Sequence, residues 1–107
     1  MADFMKMLQQ AQELQGRLQK VEQELAQQTV KASSGGGMVT VEANGHGVVR
    51  SIKIDPSVVV PGDVEMLEDL LLVAVTEAQK KAEQAKQDEM GKLTGGLPLP
   101  PGFKLPF

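Results

Sequence analysis

VKASSGGGMVTVEANGHGVVRSIKI, residues 30–54, is the stretch that decides the fold. It contains three short runs, separated first by three glycines and then by Asn44-Gly45, and the second and third runs are rich in β-branched residues. An Asn-Gly pair between such runs predicts a β-hairpin with a type I′ turn, in which both central residues have positive φ. The triple glycine predicts a second, looser turn. The stretch therefore predicts a three-stranded antiparallel meander.

One residue of the third strand interrupts its alternation. Val48, Ile52 and Ile54 would share the buried face, but Arg50 falls in the same register. Either Arg50 extends along the sheet edge to reach water, or a β-bulge resets the register. Both structural explanations are favoured over a ligand-binding role. His46 lies between glycines without other metal-binding residues beside it, so a role in the turn is favoured over metal binding or catalysis.

The residues before the meander predict a long amphipathic helix, with Asp3 as its N-cap and an end near Gln28. Its apolar residues recur at the a and d positions of a heptad, which is typical of a helix that packs lengthwise on another helix. The other faces are rich in glutamine and are either simply solvated or a source of hydrogen bonds to phosphates. The heptad positions are Phe4, Met7, Ala11, Leu14, Leu18, Val21 and Leu25.

A second helix is predicted after Asp55-Pro56, with Asp63 as its N-cap and an end near Met90, where Gly91 would be the C-cap. It is acidic at its start and rich in lysine toward its end, a gradient that complements the helix dipole. Every position from 70 to 75 is apolar, which predicts burial on more than one side. The later apolar positions are mostly alanine, which permits close approach of a neighbouring element.

We therefore predict one α+β domain, residues 1–90, with the order helix, three-stranded antiparallel meander, helix (αβββα). A Pro/Gly-rich tail, residues 91–107, follows and is expected to be flexible. The chain contains three phenylalanines and neither tryptophan nor tyrosine, so few bulky side chains are available for a core. Because a domain this small buries little apolar area, self-association is expected. No apolar run is long enough to span a membrane, and no membrane partner is expected.

Composition and motifs argue against catalysis. The chain has no cysteine, so it contains no disulfide framework, no thiolate metal site and no thiol nucleophile, which suits a reducing cytoplasm. The glycine turn is not followed by Gly-Lys-Ser/Thr or by a helix, so it does not match a phosphate-binding loop. The acids of the second helix lack the spacing of a calcium loop. We predict that the protein is not an enzyme and has no catalytic residues, metal site, cofactor or small-molecule substrate.

The chain resembles the YbaB/EbfC family of nucleoid-associated proteins over essentially its full length. The resemblance is carried by the Gln-rich start of the first helix, the glycine turn with its following strand, the third strand and parts of the second helix. These blocks are residues 5–12, 35–41, 44–45, 48–55, 67–70, 74–78 and 90–97. The resemblance implies a tweezer-like homodimer with projecting helices. It also implies a cytoplasmic, nucleoid-associated bacterial protein that binds double-stranded DNA with little sequence preference and alters its conformation. The roles it implies are nucleoid organisation, gene regulation and DNA protection.

DNA binding of this kind would be carried by basic side chains on the projecting helices. Lysines and arginines would contact phosphates and release counterions. The net charge is −3, so binding requires a local basic patch rather than an overall positive charge. The first candidates are Lys6, Arg17 and Lys20 on the first helix, and the second candidates are Lys80, Lys81 and Lys86 on the second.

A function of a different class is also compatible with the sequence. The net negative charge favours a protein-interaction adaptor that uses the acidic second helix and the Leu/Pro tail. The two hypotheses differ in the effect of salt, because a steep fall of binding with salt concentration is expected only for DNA.

Overall fold

The fold consists of two helices and a three-stranded sheet. In this computed structural model the backbone is described for residues 2–94 and the side chains for residues 3–93. The sheet is antiparallel with the strand order β1-β2-β3. The predicted α+β class and αβββα order are therefore confirmed. The elements are α1 (Ala2–Gln27), β1 (Thr29–Ser34), β2 (Val39–Asn44), β3 (Val49–Ile54) and α2 (Val64–Thr94).

The main core lies between one face of the sheet and α2. The helix approaches the sheet with alanines, whose short side chains allow its backbone to come close. At one end of this contact the hydroxyl of Ser34 on β1 donates a hydrogen bond to the carbonyl oxygen of Leu70, at 2.6 Å. The predicted alanine stripe thus permits close packing, and its partner is the sheet. The buried residues of this layer are Ala32, Val39, Val41, Ala43, Val58, Ala74 and Ala78.

A second, smaller cluster lies between α1 and the end of α2. Val21 and Leu25 pack on Met90, with Leu18 and Leu93 at the margin. Because α1 runs toward the sheet and α2 runs away from it, the two helices are antiparallel where they meet. The packing also shows that the predicted helix end at Met90 was wrong, since α2 continues to Thr94. The rest of the predicted tail, residues 95–107, lies outside the described residues.

The triple glycine forms the β1–β2 turn, as predicted. Its three residues, Gly35, Gly36 and Gly37, have φ of +59°, +67° and +96°. Residues with a Cβ rarely adopt such values, so glycine is needed here for backbone geometry.

The β2–β3 hairpin is confirmed, but its turn is not the predicted type I′. Neither Asn44 nor Gly45 has positive φ, and the hairpin instead has φ of +83° at Gly47. The side-chain oxygen of Asn44 accepts hydrogen bonds from the backbone N–H groups of His46, at 2.9 Å, and Val48, at 3.0 Å. Asn44 therefore closes the turn through its side chain rather than through a left-handed backbone.

Arg50 occupies a β-bulge. Glu42 pairs with Ser51 and Ala43 pairs with Val49, so Arg50 is skipped in the register with β2. Of the two structural explanations for this arginine, the bulge is the one observed. Its guanidinium donates a hydrogen bond to the backbone carbonyl oxygen of a residue in the last turn of α1, Ala26.

Two further hydrogen bonds from the hairpin reach the end of α1. The N–H of Gly45 donates to the carbonyl oxygen of Leu25 at 2.7 Å, and Nε2 of His46 lies 3.0 Å from the carbonyl oxygen of Glu22. The last carbonyls of a helix lack partners within the helix. The contacts of Gly45 with Leu25 and of Arg50 with Ala26 therefore make the hairpin the C-terminal cap of α1. The expected role of His46 in the turn includes a contact with a carbonyl oxygen about one turn earlier in the helix.

Gly45 is required by packing. A Cβ at this position would lie 2.7 Å from the carbonyl oxygen of Leu25 and 3.0 Å from its Cα. We expect Gly45→Ala to lower the free energy of unfolding by about 1–3 kcal/mol, because the methyl group overlaps backbone atoms that cannot move without shifting α1. Urea denaturation followed by circular dichroism measures this change.

Gly16→Ala is the matched control for Gly45→Ala. Nothing lies within 4 Å of a Cβ added to Gly16, on the exposed side of α1. Since alanine is the better helix former, this change should raise stability by about 0.5–1 kcal/mol. Changes of the same sign in the two variants would contradict the packing role of Gly45.

Two aspartates organise the connection between the sheet and α2. The carboxylate of Asp55 accepts a hydrogen bond from the N–H of Ser57 at 2.9 Å, and this bond lowers the pKa of the Asp55 carboxyl group. The carboxylate of Asp63 accepts from the N–H of Met66 at 3.2 Å. The predicted N-cap of α2 is therefore confirmed.

Candidate nucleic-acid interface

The first part of α1 projects beyond the end of α2. Contact between the two helices begins at Arg17 and Leu18, so residues 3–16 extend past it. We call residues 3–16 the arm. It is ~21 Å long at 1.5 Å per residue. Every side chain from residue 3 to residue 13 is exposed. The lengthwise helix packing predicted from the heptad is therefore observed only for the second half of α1.

Arg17 and Lys20 lie at the base of the arm. Together with Lys92 of α2 they line a shallow groove of about 260 Å³, which we call the cationic groove. Glu24 and Glu89 line it as well, and Glu89 is paired with Lys92, with 3.6 Å between Oε1 and Nζ. Within residues 3–93 neither Arg17 nor Lys20 takes part in an ion pair. Their charges are therefore available to a ligand.

Lys6 continues the basic row toward the tip of the arm. It precedes Arg17 by 11 residues and Lys20 by 14, and at 3.6 residues per turn both spacings return to the same side of the helix. The row from Lys6 to Lys20 is ~21 Å long. Glu13 lies on this side too, so the row holds three cations and one carboxylate.

The three lysines of α2 that formed the second group of candidates lie elsewhere. Lys80 pairs with Glu77, with 3.7 Å between Nζ and Oε1. Lys81 donates a hydrogen bond to the carbonyl oxygen of Lys31 on β1, at 2.8 Å. Lys86 is half-buried. In the described part of the chain none of the three lines the cationic groove.

Lys92 is the residue of the cationic groove that the sequence-based prediction missed. Treating Gly91 as a C-cap left Lys92 in the predicted tail. The signal was in the neighbouring apolar residues, because Met90 and Leu93 extend the apolar stripe of α2 by a further turn and pack on α1. That extra turn brings Lys92 beside Arg17.

Within residues 3–93 no group of three or more His, Cys, Asp or Glu side chains is placed to hold a metal ion. No helix in the described range combines the length and hydropathy that a membrane crossing requires.

The αβββα fold, the projecting arm and the cationic groove define a small α+β protein that presents cations on a helix. The chain belongs to the YbaB/EbfC DNA-binding family, whose model matches residues 1–97. The resemblance in the sequence is therefore confirmed. This is a family of DNA-binding proteins and not a family of enzymes.

Relatives of known name cover nearly the whole chain. A nucleoid-associated protein of Gemmatimonas aurantiaca is 54% identical over 105 residues, which is 98% of this chain and 99% of the relative. A nucleoid-associated protein of Agrobacterium fabrum is 48% identical over 107 residues, all of both chains.

A solved structure has the same fold. The crystal structure of the uncharacterized protein HP0035 from Helicobacter pylori matches with a TM-score of 0.78, covering 86% of this chain and 97% of that chain. The two sequences are 24% identical, so this likeness bears on the fold alone.

Proposed function

We propose that the protein binds double-stranded DNA as a homodimer, with little sequence preference, and alters the conformation of the DNA. The observation that carries this proposal is the cationic groove, where Arg17 and Lys20 are free of ion pairs within the described residues. The relatives named nucleoid-associated proteins support a nucleoid-bound protein. We extend the proposal to a cytoplasmic location and to roles in nucleoid organisation, gene regulation and DNA protection, as the family resemblance implies.

The basic row of α1 suits contact with phosphates. Lys6, Arg17 and Lys20 are long cationic side chains on one side of an exposed helix, and Lys92 adds a fourth charge at its base. Cations that neutralise phosphates release condensed counterions, which drives binding. Phosphate contacts carry no direct sequence information, so binding through this row has little sequence preference.

The homodimer is supported by an apolar surface on β3. Ile54 pairs with Val39 and Ile52 with Val41, so the isoleucines lie on the same face of the sheet as the two valines. Both valines are fully buried, whereas Ile52 is 46% exposed and Ile54 is 37% exposed. The reason is that α2 lies over β1 and β2 and leaves β3 uncovered on this face.

Leu72 lies on the side of α2 that is turned toward the β2–β3 hairpin. Gln79, seven residues further along the same side of the helix, donates a hydrogen bond to the carbonyl oxygen of Gly47 in the β2–β3 turn, at 3.3 Å. Leu72 is 67% exposed. We call Ile52, Ile54 and Leu72 the apolar shelf. The predicted burial of residues 70–75 on more than one side requires a second molecule, because the single chain leaves Leu72 in water.

A second copy of the chain is the partner that fits the apolar shelf. In a twofold dimer each protomer supplies the same surface, so one shelf packs on the other. Burying an isoleucine or leucine stabilises the assembly by about 1.5–3 kcal/mol per side chain. Two arms then act on one DNA molecule, and two grooves one helical turn apart would be separated by ~34 Å.

The test is binding to unrelated duplexes over a salt series. With the three first-choice cations on α1 of each of two protomers, we expect about six phosphate contacts and a slope of about −5 for log K against log[salt]. Fluorescence anisotropy with labelled duplexes of different sequence measures both the slope and the sequence preference, and similar affinities are expected. Absence of binding at low salt would reject the DNA proposal in favour of the adaptor.

A further inference from the structure

The arm carries an apolar stripe that is exposed up to Ala11 and half-buried at Leu14. The stripe lies on the side of α1 that, in the second half of the helix, packs on α2. Phe4 is 61% exposed, Met7 66% and Leu8 48%. One helix side is thus buried at its base and bare toward its tip, because α2 ends at Thr94. We call Phe4, Met7, Leu8, Ala11 and Leu14 the arm stripe.

The chain continues from α2 at the point where the arm stripe begins. Leu93 and Leu18 both pack at the margin of the same α1–α2 cluster, and α2 runs antiparallel to α1, so the end of α2 is directed along the arm toward Phe4. The distance from Leu18 to Phe4 along the helix is ~21 Å at 1.5 Å per residue. Residues 95–107 would span up to ~40 Å in a polyproline II conformation at 3.1 Å per residue. The segment is therefore long enough to follow the whole arm stripe.

The composition of residues 95–107 matches an apolar helix side. The segment contains no acidic residue and a single cation, Lys104, so docking would not neutralise the basic row. Its prolines restrict the unbound chain, which lowers the entropy cost of ordering it. Its apolar side chains are Leu97, Leu99, Phe103, Leu105 and Phe107, and its prolines are Pro98, Pro100, Pro101 and Pro106.

We propose that residues 95–107 dock on the arm stripe of their own chain and extend the α1–α2 cluster to the tip of the arm. Direct connection to Thr94 gives the segment a high effective concentration at this surface, above that of an arm or segment on another molecule. Docking removes Phe4 and Met7 from water and leaves the basic row on the neighbouring side of the helix open. The inference does not depend on DNA binding, and its test contains no DNA.

The first test is cross-linking, which the absence of natural cysteines makes specific. Cysteines are placed in the segment, by Gly102→Cys, and on the arm stripe, by Ala11→Cys. The control pairs Gly102→Cys with Gln9→Cys, which lies two residues away on the opposite side of the helix. We expect the pair with Ala11→Cys to form an intrachain cross-link about tenfold faster, since docking raises its effective concentration.

Three outcomes of the cross-linking experiment are distinguishable on a denaturing gel and by peptide mass spectrometry. A faster intrachain link at Ala11→Cys supports the proposal. Equal rates at Ala11→Cys and Gln9→Cys overturn it, because a free segment would reach both sides alike. A product of twice the chain mass as the main species also overturns it and assigns the arm stripe to a second copy.

A fluorescence measurement tests the same contact without a cross-link. Phe103→Trp introduces the only tryptophan of the chain. We expect its emission to be blue-shifted relative to the protein in urea. Met7→Ser should abolish most of this shift. Met5→Ser is the matched control, because Met5 is as exposed as Met7, 69% against 66%, but lies on the opposite side of α1. The same effect from both serine variants would overturn the proposal.

Discussion

Replacing Arg17 and Lys20 together by glutamate should lower the affinity for duplex DNA by about a thousandfold at 0.1 M salt. The double variant removes two phosphate contacts from the cationic groove of each protomer and about four from the proposed dimer. Each contact contributes about 0.9 to the slope of log K against log[salt], so four contacts account for a factor of 10³–10⁴ between 1 M and 0.1 M salt. The salt slope should become shallower by about 3.6 in the same experiment.

Lys31→Glu together with Lys53→Glu is the matched control for the Arg17/Lys20 double variant. It changes the net charge by the same amount, but Lys31 and Lys53 are exposed residues of the sheet, outside the arm and the cationic groove. If the long-range field of the whole protein controlled binding, the two double variants would lose affinity equally. If the cationic groove is the DNA-binding site, only the Arg17/Lys20 double variant loses affinity for DNA. Circular dichroism and light scattering confirm that fold and mass are unchanged.

Ile52→Glu should convert the proposed dimer into a monomer at micromolar concentration. The change places a carboxylate in the apolar shelf, and a twofold dimer would bury two of them. Losing the burial of two isoleucines costs about 3 kcal/mol or more, which raises the dimer Kd at least about a hundredfold. The monomer should keep its fold, since Ile52 is 46% exposed in the single chain. Sedimentation or light scattering measures the mass, which should halve.

Lys53→Glu is the control for Ile52→Glu, because it changes the same strand without changing the apolar shelf. Lys53 neighbours Ile52 but pairs with Thr40, on the opposite face of the sheet. It is the larger charge change, two units against one, and is nevertheless expected to leave the dimer intact. A dimer that survives Ile52→Glu, or that dissociates in both variants, would contradict the assignment of the apolar shelf. With one arm left per molecule, the monomeric variant should also show about half the salt slope for DNA.

The helices and strands could be predicted from the sequence because local signals determine them. Asp63 caps α2, the glycines turn the chain, and alternation defines the strands. The type of the β2–β3 turn could not be predicted from the sequence, because Asn-Gly on its own favours a type I′ turn. Here the packing of Gly45 on Leu25 prevailed, and positive φ occurs at Gly47 instead. A hydrogen bond to Leu25, twenty positions away in sequence, is not visible in local propensity.

The candidate site could be predicted only in part, and the reason for the failure is similar. Arg17 and Lys20 could be chosen as cations on an exposed helix side, but so could Lys81, which is instead bound to the backbone of β1. Lys92 was missed because its place depends on a tertiary contact, the packing of Leu93 and Leu18 at the margin of the same α1–α2 cluster. Charge and periodicity select which residues face water. Only the relative placement of two helices decides which of those residues share a groove.

Because the hairpin caps the C-terminal end of α1, the helix is held at the sheet, and a rotation at this contact moves the tip of the arm. Leu25, which accepts the hydrogen bond from Gly45, is ~32 Å from Phe4 along the helix. A rotation of about 10° about the capped end of α1 would displace the tip of the arm by ~5 Å. This is more than the 3.4 Å axial rise between successive phosphates of one DNA strand. In the proposed DNA complex, small adjustments of Gly45, His46 or Arg50 would therefore be amplified to a full phosphate step along the DNA. In the proposed complex, the position of the arm on the DNA would therefore depend on Gly45, His46 and Arg50, which lie far from the cations.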